Sequence, residues 1–190
     1  PAARVHVAGN YGELSLAETL APAIRHARDG FPVDERYARL AGLRARFLQA
    51  HPDAAHIFLD ENRAPRPGWR LRQAELAATL ERLGKEGNRG FYAGDVAESL
   101  AAAVNRAGGV WQLSDLAGYR VVERAPLRFQ YRGALITTAT LPSAGGIALA
   151  QSLQMLERFE TVDARSPRDA HLVIEALRRA FRDRAAYLGD

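Results

Sequence analysis

Cysteine is absent from this sequence, and lysine and methionine occur only once each. Without cysteine the chain can form no disulfide bond, thiolate nucleophile or cysteine-ligated zinc site. No run of about 18 or more apolar residues is present, so the sequence predicts no membrane span. The first residues contain neither a basic leader nor a small-residue cleavage site, and we therefore assign no targeting signal to this chain.

The charged residues are mostly arginines that alternate with acids along the chain. The formal net charge is +4, and Lys85 is the one lysine among 26 basic residues. Interleaved signs are typical of solvated helix faces, whereas nucleic-acid surfaces usually combine a clustered basic stripe with stacking aromatics. We therefore expect no nucleic-acid partner, although a basic helical nucleic-acid-binding module stays open as an alternative of a different functional class.

Apolar residues recur at helical spacing over much of the chain, whose 190 residues fit one domain. The predicted helices cover residues 16–29, 34–49, 73–83, 96–107 and 145–159, and a last helix begins at residue 166. Glycines close three of these helices, at Gly30, Gly84 and Gly108, and Gly30 is suited to a left-handed C-cap. Ser166 followed by Pro167 and Asp169 is a strong helix-start signal.

Two runs of strand-favouring residues flank Arg132-Gly133 and predict a β-hairpin. The strands are expected at Leu127–Tyr131 and Ala134–Thr138. Another apolar run at residues 57–59 predicts a short strand-like piece. The fold class predicted from these patterns is α+β, mostly helical with one hairpin.

The last predicted helix places a charge within its apolar stripe. Continuing the spacing of Val173, Leu177 and Phe181 leads to Arg184. Because an unpaired buried guanidinium is costly, Arg184 is expected to meet a carboxylate or backbone carbonyls as a structural clamp, with substrate contact as the alternative. A surface ion-pair ladder of Glu175, Arg179 and Asp183 is expected on the flank.

Glycine and aromatic motifs follow one another in a fixed order along nearly the whole chain. They include YGEL at 11–14, DGFPV at 29–33, GFYAGDVA at 90–97, GGVWQLSDLAGY at 108–119, YRG at 131–133 and TLPSAGG at 140–146, with EA, DR and YLGD between 175 and 190. Individually these motifs are weak signals, but their collinear order resembles the large chain of the gamma-glutamyltranspeptidase family.

The resemblance implies a part of the αββα sandwich of the N-terminal nucleophile hydrolases, with residues 1–190 as a single partial domain. Members of that family transfer the gamma-glutamyl group of glutathione or related amides to water or amino acids. They do so through an ester on the N-terminal threonine of a small chain that self-cleavage releases. Glutathione or another gamma-glutamyl substrate and the small chain are therefore the expected partners, and the expected location is the periplasm or outside the cell.

The resemblance also implies that the central catalytic groups lie outside this sequence, which we expect to be truncated at both ends. We assign no catalytic residue, no cofactor and no metal ligand, and we expect the fragment alone to be inactive. The family's Pro-rich Ser-Ser-Gly-Gly loop is represented by residues 140–146, with two prolines and one serine lost. Ser143, Gly145 and Gly146 are the candidate substrate-binding residues, because a helix start offers free N–H groups to an anion.

Other interpretations of the same patterns stay open. Ser143 could simply cap the helix while the two glycines allow close packing. The resemblance also fits a cephalosporin-acylase-like amidohydrolase of the same fold, or a family member that has lost catalysis. None of the five histidines has the neighbours that a metal site requires.

Overall fold

The structure is a computed structural model that describes residues 1–160, 163 and 166–188. The chain divides into two compact units, Pro1–Val121 and Val122–Asp190. The first unit is mainly helical and contains one short strand pair. The second unit consists of a hairpin and two helices in its described part. The helices and strands in chain order are α1 (Ala2–Tyr11), α2 (Leu16–Asp29), β1 (Phe31–Pro32), α3 (Glu35–Gln49), α4 (Pro52–Phe58), β2 (Arg70–Leu71), α5 (Ala74–Glu86), α6 (Arg89–Tyr92), α7 (Gly94–Arg106), α8 (Leu113–Ala117), β3 (Leu127–Tyr131), β4 (Ala134–Thr138), α9 (Ala144–Leu156) and α10 (Pro167–Tyr187).

Helix α2 begins with a reciprocal cap and packs on α5. The amide of Glu18 donates to the Ser15 hydroxyl, and the Glu18 carboxylate accepts from the Ser15 amide and hydroxyl. These bonds satisfy amides that a helix start otherwise leaves unpaired. Buried Leu20 and Ala27 of α2 and Leu83 of α5 contribute to the core of this unit.

A glycine in the last turn of α5 lets the two helices approach closely. A Cβ on Gly84 would lie 3.3 Å from the Cα of Ala17 in α2. The prediction that Gly84 ends a helix is therefore wrong, since α5 continues to Glu86 and its C-cap is Gly87. Gly30 does end α2 with a positive φ of 74°, but its ψ of 169° places it outside the left-handed helical region.

The strand-like piece predicted at residues 57–59 is also wrong. Pro52 occupies the first turn of α4, where its missing N–H costs no helical hydrogen bond, and Phe58 is the last residue of that helix. The Tyr37 hydroxyl of α3 donates to the Phe58 carbonyl at 3.1 Å. This contact ties α4 back onto α3, and burial raises the pKa of Tyr37 above its ordinary value.

The hairpin of the second unit has the predicted strands and register. Phe129 pairs with Ile136, and the two turn residues Arg132 and Gly133 have φ values of 48° and 79°. Positive φ at both positions is the geometry of a type I′ turn, which arginine rarely adopts. Here the Arg132 amide donates to the Glu157 carboxylate at 2.8 Å, and the guanidinium donates to the Phe159 carbonyl at 3.0 Å.

Helices α9 and α10 pack on each other through small residues. Ala148 and Ser152 of α9 are buried, as are Ala176 and Ala180 of α10. The predicted start of α10 is confirmed, since the Ser166 hydroxyl accepts the amide of Asp169 at 3.1 Å. None of the helices in the described ranges is both long enough and apolar enough to cross a membrane.

Candidate functional site

The candidate site is the loop that joins β4 to α9. A turn closes with a 3.1 Å hydrogen bond from the Ser143 amide to the Thr140 carbonyl, and α9 starts at the next residue. Ser143 occupies the N-cap position, but its hydroxyl makes no cap hydrogen bond. The alternative that Ser143 serves as a side-chain cap is therefore wrong in this structure. Its side chain is exposed.

The two glycines of this loop have different surroundings. Gly146 is buried, and a Cβ built there would overlap the carbonyl oxygen of Ala139 at the end of β4. Gly145 is exposed, and the nearest atom to its Cβ position is the Ser143 hydroxyl oxygen at 3.7 Å. Close packing of the chain thus explains the glycine at 146, whereas nothing around 145 requires one.

The structure brings the three predicted residues together at one helix start. The first turn of α9 contains no acidic side chain, and the first amides of an α-helix have no partner within that helix. Such a turn can receive a carboxylate or another anion. Its chemistry is limited to donating hydrogen bonds, since Ser143 has no histidine within the loop that could activate it.

Motif residues elsewhere in the chain have structural roles. Tyr92 and Tyr119, from two separate motifs, stack in parallel with ring centroids 5.3 Å apart, and the Tyr92 hydroxyl accepts the Ala2 amide at 3.3 Å. A Cβ on Gly90 would lie 2.5 Å from the Arg82 carbonyl oxygen, so only glycine permits α6 to lie this close to α5. These motif residues are therefore explained by packing contacts, and no ligand is needed to account for them.

An open groove of about 660 Å³ lies beside the tyrosine stack in the first unit. Sequence reasoning missed it, because its walls come from helix α1 and from two distant motifs. Its polar lining includes His6, Arg89 and Arg120. The Arg120 guanidinium already donates to the carbonyls of Ala117 and Tyr119, at 2.8 Å each. It therefore acts as a local brace of the loop after α8.

The ion-pair ladder expected on α10 is only partly present, and the acceptor expected for Arg184 does not lie in the described part of the chain. Glu175 accepts from Arg178 at 2.7 Å and from Arg179 at 2.6 Å, and these hydrogen bonds, first that of Arg179, lower the pKa of Glu175. The expected ladder does not continue from Arg179, because Asp183 contacts Arg182 instead, at 3.2 Å. Arg184 is exposed over the Phe181 ring, 5.7 Å from its centroid, and meets no carboxylate or carbonyl within the described part of the chain.

No metal centre is evident in the ranges that the structure describes. No three histidine, aspartate or glutamate side chains there converge in a way that could hold an ion. Shifted pKa values also lie away from the loop: the hydrogen bond from the Ser15 hydroxyl lowers the pKa of Glu18, while Tyr37 bonds the Phe58 carbonyl and Glu175 bonds arginines of its own helix. The candidate loop therefore contains no side chain that could act as a general acid or base through a shifted pKa.

Comparison with known proteins shows the family of this chain. The sequence model described as gamma-glutamyltranspeptidase matches residues 2–190. The chain belongs to the gamma-glutamyltranspeptidase family. It is similar to the glutathione hydrolase proenzyme of Escherichia coli (strain K12), with 36% identity over an alignment of 188 residues and with 95% of this chain covered. The chain spans about a third of the length of that relative, of which 32% is covered.

Solved structures of two enzyme types share the fold. A gamma-glutamyltranspeptidase from Helicobacter pylori superposes with a TM-score of 0.92 and 30% identity, covering 98% of this chain and 54% of that one. A cephalosporin acylase from Bacillus halodurans superposes with a TM-score of 0.87 and 31% identity, covering 96% of this chain and 35% of that one. The predicted fold class is confirmed: a mostly helical α+β part of the N-terminal nucleophile hydrolase fold.

Proposed function

We propose that this chain is a large-chain segment of a gamma-glutamyltranspeptidase that acts on glutathione or related gamma-glutamyl amides. The observation that carries the proposal is the family match over residues 2–190, together with glutathione hydrolase relatives 33–37% identical over 95% of the chain. Residues 1–190 then form one partial domain. The complete enzyme is placed in the periplasm or outside the cell, as the family resemblance implies.

The proposed reaction is acyl transfer in two steps. The hydroxyl of an N-terminal threonine on the small chain attacks the gamma-carbonyl carbon of the substrate. The C–N bond of the gamma-amide breaks, and the amine released from that bond leaves with a proton. Water or the amine of an amino acid then attacks the ester, which releases the gamma-glutamyl group and restores the threonine. The relatives are named as proenzymes and are about three times as long as this chain, which supports a partner chain produced by autocatalytic cleavage.

Within that enzyme, we assign this chain the role of scaffold and of one binding loop. The exposed Ser143 hydroxyl, which has no cap bond, and the amides at the start of α9 can donate to a substrate carboxylate. Gly145 keeps this surface open, and Gly146 fixes the loop against β4. No step of the chemistry is assigned to any residue of this chain.

Kinetics of the complete enzyme test the loop assignment. Ser143→Ala should raise KM for glutathione by about ten- to hundredfold with little change in kcat, since a hydrogen bond to a charged group is worth roughly 1.5–3 kcal/mol. Ser114→Ala, at another exposed serine near a helix start, is the matched control. Equal KM values for the two variants would remove Ser143 from the substrate site.

A cephalosporin-acylase-like amidohydrolase is the second candidate function. The observation in its favour is the acylase structure, whose TM-score of 0.87 and identity of 31% are comparable with those of the transpeptidase. The two candidates differ in the acyl group that they accept. Parallel assays of the complete enzyme with glutathione and with a glutaryl amide separate them, because a gamma-glutamyl enzyme needs the amino group that the glutaryl amide lacks.

A further inference from the structure

Helix α10 has two apolar faces, and only one of them is covered. Ala176 and Ala180 are buried on the side of α10 that packs on α9. At about 100° per residue, a second apolar stripe lies beside that face. We define the α10 outer stripe as Val173, Ile174, Leu177, Phe181 and Arg184, whose four hydrophobic members are exposed by 39%, 55%, 41% and 52% respectively.

This stripe is more apolar than a solvated helix surface requires. The remaining side of the same helix carries the expected charges, including Glu175, Arg178 and Arg182. A helix with apolar residues on two adjacent faces is typical of a layer that lies between two others. Contiguous exposed apolar residues of this kind mark contact surfaces in folded proteins.

Arg184 lies within the stripe rather than at its edge. By helical spacing it falls between Val173 and Leu177, and its guanidinium rests over the Phe181 ring. Its five donors have no carboxylate or carbonyl acceptor in the part of the chain that is described. If the stripe were covered by purely apolar surface, this charge would be buried without a partner, which is strongly unfavourable.

We propose that the α10 outer stripe is a docking surface for the portion of the same precursor that lies outside these 190 residues, and that this portion presents apolar side chains and one carboxylate toward Arg184. The inference rests on the proposed function, because it takes the precursor of that enzyme as the source of the partner surface. The relatives support this occupant, since about two thirds of their length is unmatched by this chain. The matched solved structures likewise contain further polypeptide.

A second copy of this chain fits the stripe less well. In a two-fold symmetric contact the same residues face each other, and the outer stripe contains no aspartate or glutamate. Such a dimer would bury two guanidinium groups among apolar side chains without an acceptor. The charge pattern therefore favours a partner surface that supplies the missing carboxylate.

Site-specific labelling of the precursor tests the proposal, because this chain has no cysteine of its own. Single variants Ile174→Cys and Arg182→Cys place thiols on the outer stripe and on the charged side of the same helix. Maleimide labelling at each position is measured by peptide mass spectrometry in the native precursor and normalised to the unfolded protein. We expect protection of at least about tenfold at position 174 and little protection at position 182.

Equal labelling at the two positions in the native precursor would overturn the proposal. Protection at 174 that disappears on dilution would assign the stripe to a second copy, which also overturns it. The carboxylate expected opposite Arg184 has its own test. Arg184→Glu should lower the Tm of the precursor more than Arg182→Glu does, whereas Arg184→Lys should lower it only slightly, because lysine keeps the positive charge. Gamma-glutamyl hydrolysis by the unsubstituted complete protein after cleavage is measured separately, so that a protected but inactive cleaved protein contradicts only the proposed function.

Discussion

The glycine at position 146 is the residue of the candidate loop that the fold constrains most. Gly146→Ala would force its Cβ into the Ala139 carbonyl, which is backbone and cannot rotate away. We expect a loss of roughly 1–3 kcal/mol in the free energy of unfolding, as for other overpacked sites. Gly145→Ala is the matched control, because its Cβ would meet nothing closer than 3.7 Å. Chemical denaturation of both variants measures the difference, and equal midpoints would contradict the close contact of Gly146 with the Ala139 carbonyl.

A second prediction at this scale concerns Tyr37 and alkaline pH. Burial raises the pKa of Tyr37 above its ordinary value of 10.0, so the folded protein keeps this proton at pH values where the unfolded chain loses it. The stability that this tyrosine contributes is therefore complete below about pH 10 and declines as pH rises through the folded pKa.

Tyr37→Phe tests that prediction. The variant also loses the hydrogen bond to the Phe58 carbonyl and should be less stable by about 0.5–1.5 kcal/mol at neutral pH. Its stability should then fall less steeply than that of the unsubstituted protein above pH 10. Urea denaturation at several pH values measures both effects, and parallel pH profiles would show that Tyr37 titrates in the same way in both states.

At the scale of helices, glycines in α3 and α5 should respond in opposite directions to substitution. Gly42 lies within α3, and its Cβ would be 3.7 Å from that of Ala64, an ordinary contact. Gly42→Ala should therefore stabilise the protein by about 0.5–1 kcal/mol through helix propensity. Gly84→Val should destabilise it, because the larger side chain would separate α5 from α2 at Ala17. Thermal melts of the two variants shifting in the same direction would contradict the described helix contact.

Elements with complete local signals were predictable from sequence. The hairpin with its Arg132-Gly133 turn and the start of α10 at Ser166 both occur where the sequence places them. Elements that depend on distant contacts were not. Residues 57–59 have strand propensity, but Tyr37 and the first-turn Pro52 fix a helix there. Glycine is common at helix ends, and the sequence therefore predicts an end at Gly84. Only the contact with Ala17 reveals why this glycine lies inside a helix.

The sequence predicted where the candidate loop lies, but not which of its residues are buried and which are exposed. Sequence alone places Ser143, Gly145 and Gly146 at a helix start, because a Gly-Gly pair precedes an apolar helical run. It does not reveal that Gly146 packs against a backbone carbonyl while Gly145 faces open space. The resemblance to a family supplied the functional expectation, which composition and spacing do not contain.

At the scale of the whole molecule, the exposed apolar residues predict how the isolated chain behaves. Apolar patches larger than a monomer usually tolerates promote association. The isolated 190-residue chain should therefore self-associate, and Ile174→Asp combined with Phe181→Asp should reduce that association more than Arg182→Asp does. Sedimentation velocity or dynamic light scattering measures the effect, and a stable monomer of the unsubstituted chain would contradict it.

The central claim is that this chain shapes a gamma-glutamyl site whose nucleophile arrives from another part of the precursor. Hydrolysis of a gamma-glutamyl anilide tests it most directly, measured for the complete gene product and for the isolated chain in parallel. We predict anilide release by the complete protein and none by the isolated 190 residues. Release by the isolated chain, or no release by a correctly cleaved complete protein, would contradict the claim.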